Sequence, residues 1–119
     1  MESNEAIQLI GFKKYSSNKG YSYSTAYLGP DFHSYSFDKH KRAKEYITAI
    51  DALALPKDSA EQFHRSKIKR EILKAYCGFK FDEEGLTKIV TGNWGCGAFG
   101  GDNRAKLIIQ WLSCTLAGK

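Results

Sequence analysis

Cysteine is scarce in this chain: Cys77, Cys96 and Cys114 are the three in 119 residues. The number is odd and no two lie close together, which argues against a disulfide framework. No CxxC pattern offers a redox pair or half of a zinc site. Reduced thiols in an intracellular protein are the simplest reading. The three histidines, His33, His40 and His64, have no metal-ligand spacing with one another or with the cysteines. Long apolar runs are missing as well. No stretch approaches the ~20 residues of a membrane helix, and the polar, acidic residues 1–6 contain no signal-peptide core. The expectation is a soluble intracellular chain, nuclear or cytoplasmic, with no membrane partner. No internal repeat is visible.

The length suits one small domain with a modest core. A hydrophobic fraction of 42% with 26% charged residues is ordinary for a globular protein and argues against disorder. The net charge is +5 and the isoelectric point about 9.1. A basic balance suits an anionic partner: nucleic acid, a nucleotide or an acidic polymer. Charge alone does not choose among them.

Residues 7–10, IQLI, read as a short strand. Tyr21, Tyr23 and Tyr27 alternate with small polar residues, the pattern of a half-exposed strand face, and residues 28–31, LGPD, read as a turn. Residues 45–53, β-branched in the middle, read as a buried strand stopped by Pro56. Ser59 and Gln62 fit a capping box opening a helix to about Tyr76, with Ile68, Ile72, Leu73 and Tyr76 on its apolar face and Gly78 as a left-handed cap. Lys67, Lys69, Arg70 and Lys74 fall on its other faces. Together with His64 this basic run reads as solvated helix surface in preference to a DNA-binding interface. Residues 86–91 read as a second short strand. Residues 104–116 read as an amphipathic helix presenting Leu107, Ile108, Trp111 and Leu112, capped by Asp102 or Asn103. The order strand, glycine-rich loop, helix is an α/β arrangement.

Between that last strand and helix lies TGNWGCGAFGGD, residues 91–102, with five glycines. Glycine permits positive φ and close backbone approach. Successive N–H groups can then converge on an anion, helped by the positive end of the following helix. A diphosphate is the natural guest. Asn93 offers hydrogen bonds to a sugar hydroxyl, and the rings of Trp94 and Phe99 can pack on a sugar or base. A tight connection around a core tryptophan is the alternative, and glycine content does not separate the two. The segment is neither a P-loop, since no GK[ST] follows, nor GxGxxG. Asp102 at the helix start opposes a phosphate placed directly there, so the anion belongs earlier, around residues 95–99. Trp94 and Trp111 both read as core residues when weighed as ligand platforms.

The loop, with Arg104 and the apolar helix after it, is very similar to the signature of the poly(ADP-ribose) glycohydrolases. KAYCGF at residues 74–79 matches a second segment of that family, AIDAL at 49–53 a third, and Tyr15-Ser16 followed by Gly20-Tyr21 a looser fourth. The resemblance runs from about Ile7 to Gln110. It implies an α/β fold of macrodomain type, a mixed sheet flanked by helices, of which this chain is part. It also implies hydrolysis of ribose–ribose bonds in poly(ADP-ribose), with no metal or cofactor. Carried over by position, Asn93, Trp94, Gly95, Cys96, Gly97, Ala98 and Phe99 hold the diphosphate and distal ribose of ADP-ribose. Tyr21 corresponds to the tyrosine that stacks on adenine. Cys96 then serves as loop backbone and not as a nucleophile.

One part of the pattern is missing. Glycoside hydrolysis needs a carboxyl group to protonate the leaving oxygen and assist water, and the family supplies it from GGG, a short spacer and QEE. Neither occurs here. The adjacent pair Glu83-Glu84 reads as surface charge and Asp51 as a structural carboxylate, so no catalytic residue is assigned. A further strand of the family pattern after the last helix is also absent, which leads to the expectation of uncovered sheet edges and apolar faces. The readings that follow are an inactive piece of a poly(ADP-ribose) glycohydrolase or a binding module for ADP-ribose. A small basic nucleic-acid-binding domain is the weaker alternative. Oligomeric state is not legible.

Overall fold

The computed structural model describes residues 1–20, 22–54, 59–81, 83 and 85–119. The chain divides into two compact units, residues 8–47 and residues 1–7 with 48–119. The elements are strands β1 (Ile7–Ile10), β2 (Ser16–Lys19), β3 (Ala26–Pro30) and β4 (Tyr46–Ala49), then helices α1 (Arg65–Phe79) and α2 (Asn103–Leu116). Short 3-10 helices lie at Ser22–Ser24 and Ser59–Phe63. The class is α/β as expected. Among the described residues the strands pair in twos, β1 with β4 and β2 with β3.

In the smaller unit β2 and β3 run antiparallel with an irregularity between Ser17 and Asn18. Leu28, Gly29 and Pro30 therefore belong to a strand and not to a turn. A proline is tolerated there because it sits at the last position of an edge strand, where its missing N–H costs no ladder bond. Tyr23 lies in a 3-10 helix and is fully exposed, so the tyrosine alternation does not mark one strand. The Tyr35 hydroxyl accepts the Lys14 N–H at 2.8 Å and ties the loop before β2 to the one after β3. The Asp38 carboxylate accepts the N–H groups of His40 and Arg42 and the Arg42 Nε, at 2.7–2.9 Å, and closes a tight turn.

The larger unit is organised by α1 against α2. The buried positions of α1 are Glu71, Lys74, Ala75, Gly78 and Phe79, and those of α2 are Lys106, Ile109, Gln110 and Ser113. Both sets follow the i, i+3, i+4, i+7 spacing of a helix face. The α2 set is largely polar and the α1 set holds Glu71, Lys74 and two small residues, which is why apolar spacing selects the wrong stripes. On α1, Leu73 is exposed and Ile68, Ile72 and Tyr76 are only half-buried. On α2, Leu107, Ile108, Trp111 and Leu112 are exposed, Trp111 by 68%. The reading of Trp111 as core is thus corrected. So is the reading of Arg70 and Lys74 as solvated: Lys74 is fully buried and Arg70 half-buried. Where the helices touch, Ser113 Oγ donates to Ile109 O and lies 3.1 Å from Ile72 O of α1.

Further expectations change. Residues 86–91 form no strand, and their peptide groups run irregularly into the glycine loop. The strand expected over 45–53 shortens to β4 and is half-exposed. Gly78 does not cap α1: it lies inside the helix, which ends one residue later. The glycine serves close approach. A Cβ there would stand 2.8 Å from the γ-methyl groups of both Thr48 and Ile50, and the Thr48 hydroxyl donates to the Gly78 carbonyl at 2.9 Å. The Ser59 side chain and Pro56 lie outside the described residues. Gln62, the other member of the expected capping box, accepts the Asp102 N–H at 2.6 Å.

Gly78→Ala gains helix propensity of about 1 kcal/mol and meets overpacking of about 1–3 kcal/mol. Net destabilisation by about 1 kcal/mol is expected in denaturant titration. Gly97→Ala meets nothing within 4 Å and should leave the midpoint unchanged.

Candidate functional site

The glycine-rich loop is held at its start, its middle and its end. At the start Gln110 of α2 donates from Nε2 to Gly92 O at 3.1 Å, and its Oε1 accepts the Thr91 hydroxyl at 2.5 Å. In the middle the Trp94 indole N–H donates to Ile50 O at 3.1 Å, just beyond β4. Gly95 follows with φ +75°, a conformation that strains any residue with a Cβ. There is no room for one either: a Cβ on Gly95 would stand 2.4 Å from the Ala52 Cβ. At the end Asp102 caps α2, its Oδ1 accepting the Ala105 N–H at 2.8 Å as expected of an N-cap.

Inside the loop Cys96 N–H donates to Asn93 O, Gly100 N–H to Gly97 O and Gly101 N–H to Gly95 O, at 2.9–3.1 Å. These bonds draw the two limbs together. Among the described residues, the N–H groups of Gly97, Ala98 and Phe99 enter no hydrogen bond within the chain. They form the outer curve of the loop. Asn93, Gly97, Ala98 and Phe99 are exposed, and Trp94, Gly95 and Cys96 are half-buried. The two aromatic rings therefore divide: Trp94 is engaged by the fold and Phe99 stands open. Tyr21, the remaining site residue expected from the sequence, lies outside the described residues.

Beneath the loop is a cluster of five charged side chains that periodicity did not find. Glu71 (2% exposed) pairs with Lys106 (4% exposed) and, at 2.5 Å, with Arg70. Its Oε1 also accepts the Leu53 N–H at 3.2 Å. Arg70 reaches Asp51 Oδ2 at 2.5 Å and Asp51 O at 2.9 Å. Lys74 lies 3.0 Å from Asp51 Oδ1 and donates to the carbonyls of Glu2 and Glu5. Lys106 stands 4.1 Å above the Trp94 ring, a cation–π contact. The available sequence signal was the polar stripe Lys106, Gln110 and Ser113 on α2 and the i, i+3 pair Glu71 and Lys74 on α1.

Asp51 is structural, as expected. Burial raises its pKa, but hydrogen bonds from Lys74 and Arg70 prevail and hold it at about 2. Burial, then the charge of Arg70, brings Lys106 down to about 8. Burial and the Asp102 carboxylate push the Cys96 thiol upward, away from the thiolate a nucleophile needs. Among the described residues no three His, Cys, Asp or Glu side chains gather to hold a metal ion, and no helix is long and apolar enough to cross a membrane.

The family model for poly(ADP-ribose) glycohydrolase, macro domain fold, matches residues 1–119. This chain belongs to the poly(ADP-ribose) glycohydrolase family. It is 28% identical over 158 aligned positions to the probable poly(ADP-ribose) glycohydrolase 2 of Arabidopsis thaliana, covering all of this chain and 30% of that protein. Poly(ADP-ribose) glycohydrolase 1 of Caenorhabditis elegans is 34% identical over 131 positions, covering all of this chain and 17% of its own length. Poly(ADP-ribose) glycohydrolase 2 of the same organism is 35% identical over 127 positions, with 97% and 26% covered. The chain thus spans a third or less of the length of these relatives. The family's macro domain fold bears out the macrodomain-type α/β reading.

A carboxylate whose folded pKa lies near 2, below the ordinary ~3.9, contributes stability that is present above about pH 4 and lost as pH falls toward 2. Asp51 meets this condition, and so does Asp38, where burial raises the pKa but the hydrogen bonds from Arg42 and His40 lower it to about 2. Asp51→Asn should lower stability at pH 7 and flatten, without abolishing, its loss between pH 5 and pH 2. Denaturant titrations across that range measure both effects.

Proposed function

We propose that this chain is the substrate-holding portion of a poly(ADP-ribose) glycohydrolase catalytic domain. In this reading the loop of Asn93, Gly95, Gly97 and Phe99 takes the diphosphate and distal ribose of an ADP-ribose unit. Tyr21 takes the adenine, as the family pattern implies. The observation that carries the proposal is the outer curve of the loop. Consecutive N–H groups at Gly97, Ala98 and Phe99 are left unbonded by a backbone that is otherwise fixed at both ends. Unbonded amide donors on a preorganised loop suit phosphate oxygens. Trp94 and Cys96 contribute by holding that backbone, and Phe99 offers an open ring face.

The chemistry of cutting lies elsewhere in the family pattern. A glycosidase acid needs a carboxyl group that keeps its proton near neutral pH. The carboxylates around the loop are unsuited: Asp51 is held at about 2, Glu71 is buried between Arg70 and Lys106, and Asp102 caps α2. The GGG and QEE segments are not in these 119 residues. We therefore read this chain by itself as binding ADP-ribose without hydrolysing the polymer. The ligand is poly(ADP-ribose) or its terminal ADP-ribose, no metal or cofactor takes part, and the compartment is intracellular.

Isothermal calorimetry with ADP-ribose tests the binding half. Phe99→Ala and Tyr21→Ala should each weaken binding about fivefold or more, the ~1–3 kcal/mol expected of an aromatic stacking partner, and Cys96→Ser should leave it intact. A folded sample that gives no heat with ADP-ribose contradicts the reading. Release of ADP-ribose from purified polymer by this polypeptide alone contradicts the inactive half.

A further inference from the structure

The loop rests on a buried cation. A Cβ built on Gly95 would lie 3.2 Å from Lys106 Nζ, and one on Gly101 would lie 3.0 Å from Lys106 Cε. The backbone at both glycines thus lies close against the lysine side chain. The same two glycines close the loop, Gly101 N–H donating to Gly95 O at 2.9 Å. Lys106 is fixed from two further sides, by the Glu71 carboxylate of α1 and by the Trp94 ring. Glu71 also holds the Leu53 N–H, and neighbouring Ala52 abuts Gly95.

The cluster carries an excess of positive charge. Arg70, Lys74 and Lys106 are three cations, against two carboxylates in Asp51 and Glu71. Of the three cations, Lys106 is the one that lies against the loop glycines, and it is 4% exposed, so its charge is weakly screened by salt. Burying a lysine is costly unless its charge is matched. An apolar pair at positions 71 and 106 would fill the space without that cost, so stability alone does not account for the buried ion pair.

We propose that Lys106 is a positioning residue for the glycine-rich loop and the buried cation that favours a diphosphate in it. This rests on the loop being the ADP-ribose site. Glu71 sets the lysine in place, Trp94 and the paired glycines keep it against the backbone, and its ammonium group lies beside Gly95.

The test uses three variants of the whole chain: Lys106→Met, Lys106→Arg and the double variant Glu71→Gln/Lys106→Gln. The double variant replaces the ion pair by a neutral hydrogen-bonded pair and leaves the net charge of the cluster unchanged. It separates a stabilising role from an electrostatic one and stands in if Lys106→Met does not fold. Two readouts are taken: calorimetric affinity for ADP-ribose, and hydrogen exchange of the Gly101 amide in the ligand-free protein. Lys106→Met should bind ADP-ribose at least tenfold more weakly and exchange Gly101 at least tenfold faster. Lys106→Arg should bind within threefold of the unaltered chain. The double variant should recover thermal stability and Gly101 protection yet remain at least tenfold weaker in binding. A folded Lys106→Met or double variant that binds ADP-ribose as the unaltered chain does would overturn the proposed electrostatic role, and unchanged Gly101 exchange in Lys106→Met would overturn the positioning role. If the unaltered chain itself does not bind ADP-ribose, the reading of the loop as that site fails, and Gly101 exchange still decides whether Lys106 holds the loop.

Discussion

The Glu71 carboxylate is the contact on which the larger unit depends. It is nearly inaccessible to water and meets Lys106 of α2, Arg70 of its own helix and the Leu53 N–H beyond β4. A single buried anion thereby joins both helices and the segment that backs the glycine loop. The unpaired charge would be prohibitive in such a place, whereas a carboxylate surrounded by two cations and an amide donor is satisfied. Removing one partner of a buried pair typically costs about 3–5 kcal/mol, because the other is left without compensation. Few apolar side chains share the load: in this unit Ala75, Phe79, Phe81 and Ile109 are the buried apolar residues among those described.

This polar interior bears on the loop above it. A loop that binds phosphate through backbone N–H groups must keep those groups unbonded and in place, and glycine-rich backbone does not do so unaided. The required constraint comes from polar side chains below: Gln110 at the first limb, Trp94 at the bend, Gln62 and Asp102 at the last limb. Each of these bonds ends on a backbone group and so fixes the chain itself.

The apolar surface completes the picture. Leu107, Ile108, Trp111, Leu112 and Leu116 form an exposed stripe on α2, opposite its polar buried face. Apolar faces of this kind are seldom left to water. The relatives are at least three times as long as the part that this chain matches. The glycine loop, by contrast, is anchored entirely by residues of these 119.

Much was legible from the sequence alone. The loop TGNWGCGAFGGD and the KAYCGF block carried the family. Asp102 declared the start of α2 because a carboxylate before a helix has one obvious use, and Asp51 was recognised as structural. These features are local: a cap, a turn and a glycine follow from chemistry within a few residues. The buried faces of α1 and α2 were not legible, because periodicity was sought in apolar residues while the buried stripes hold lysine, glutamate, glutamine and serine. Whether a lysine is buried depends on a carboxylate 35 positions away, as Glu71 is from Lys106. The role of Gly78 likewise depends on Thr48 and Ile50, far back in the chain, and that of Gln62 on Asp102. Sequence determined the family and the local chemistry of the loop; only tertiary pairing decided what holds it, because partners for buried charge are chosen in space and not along the chain.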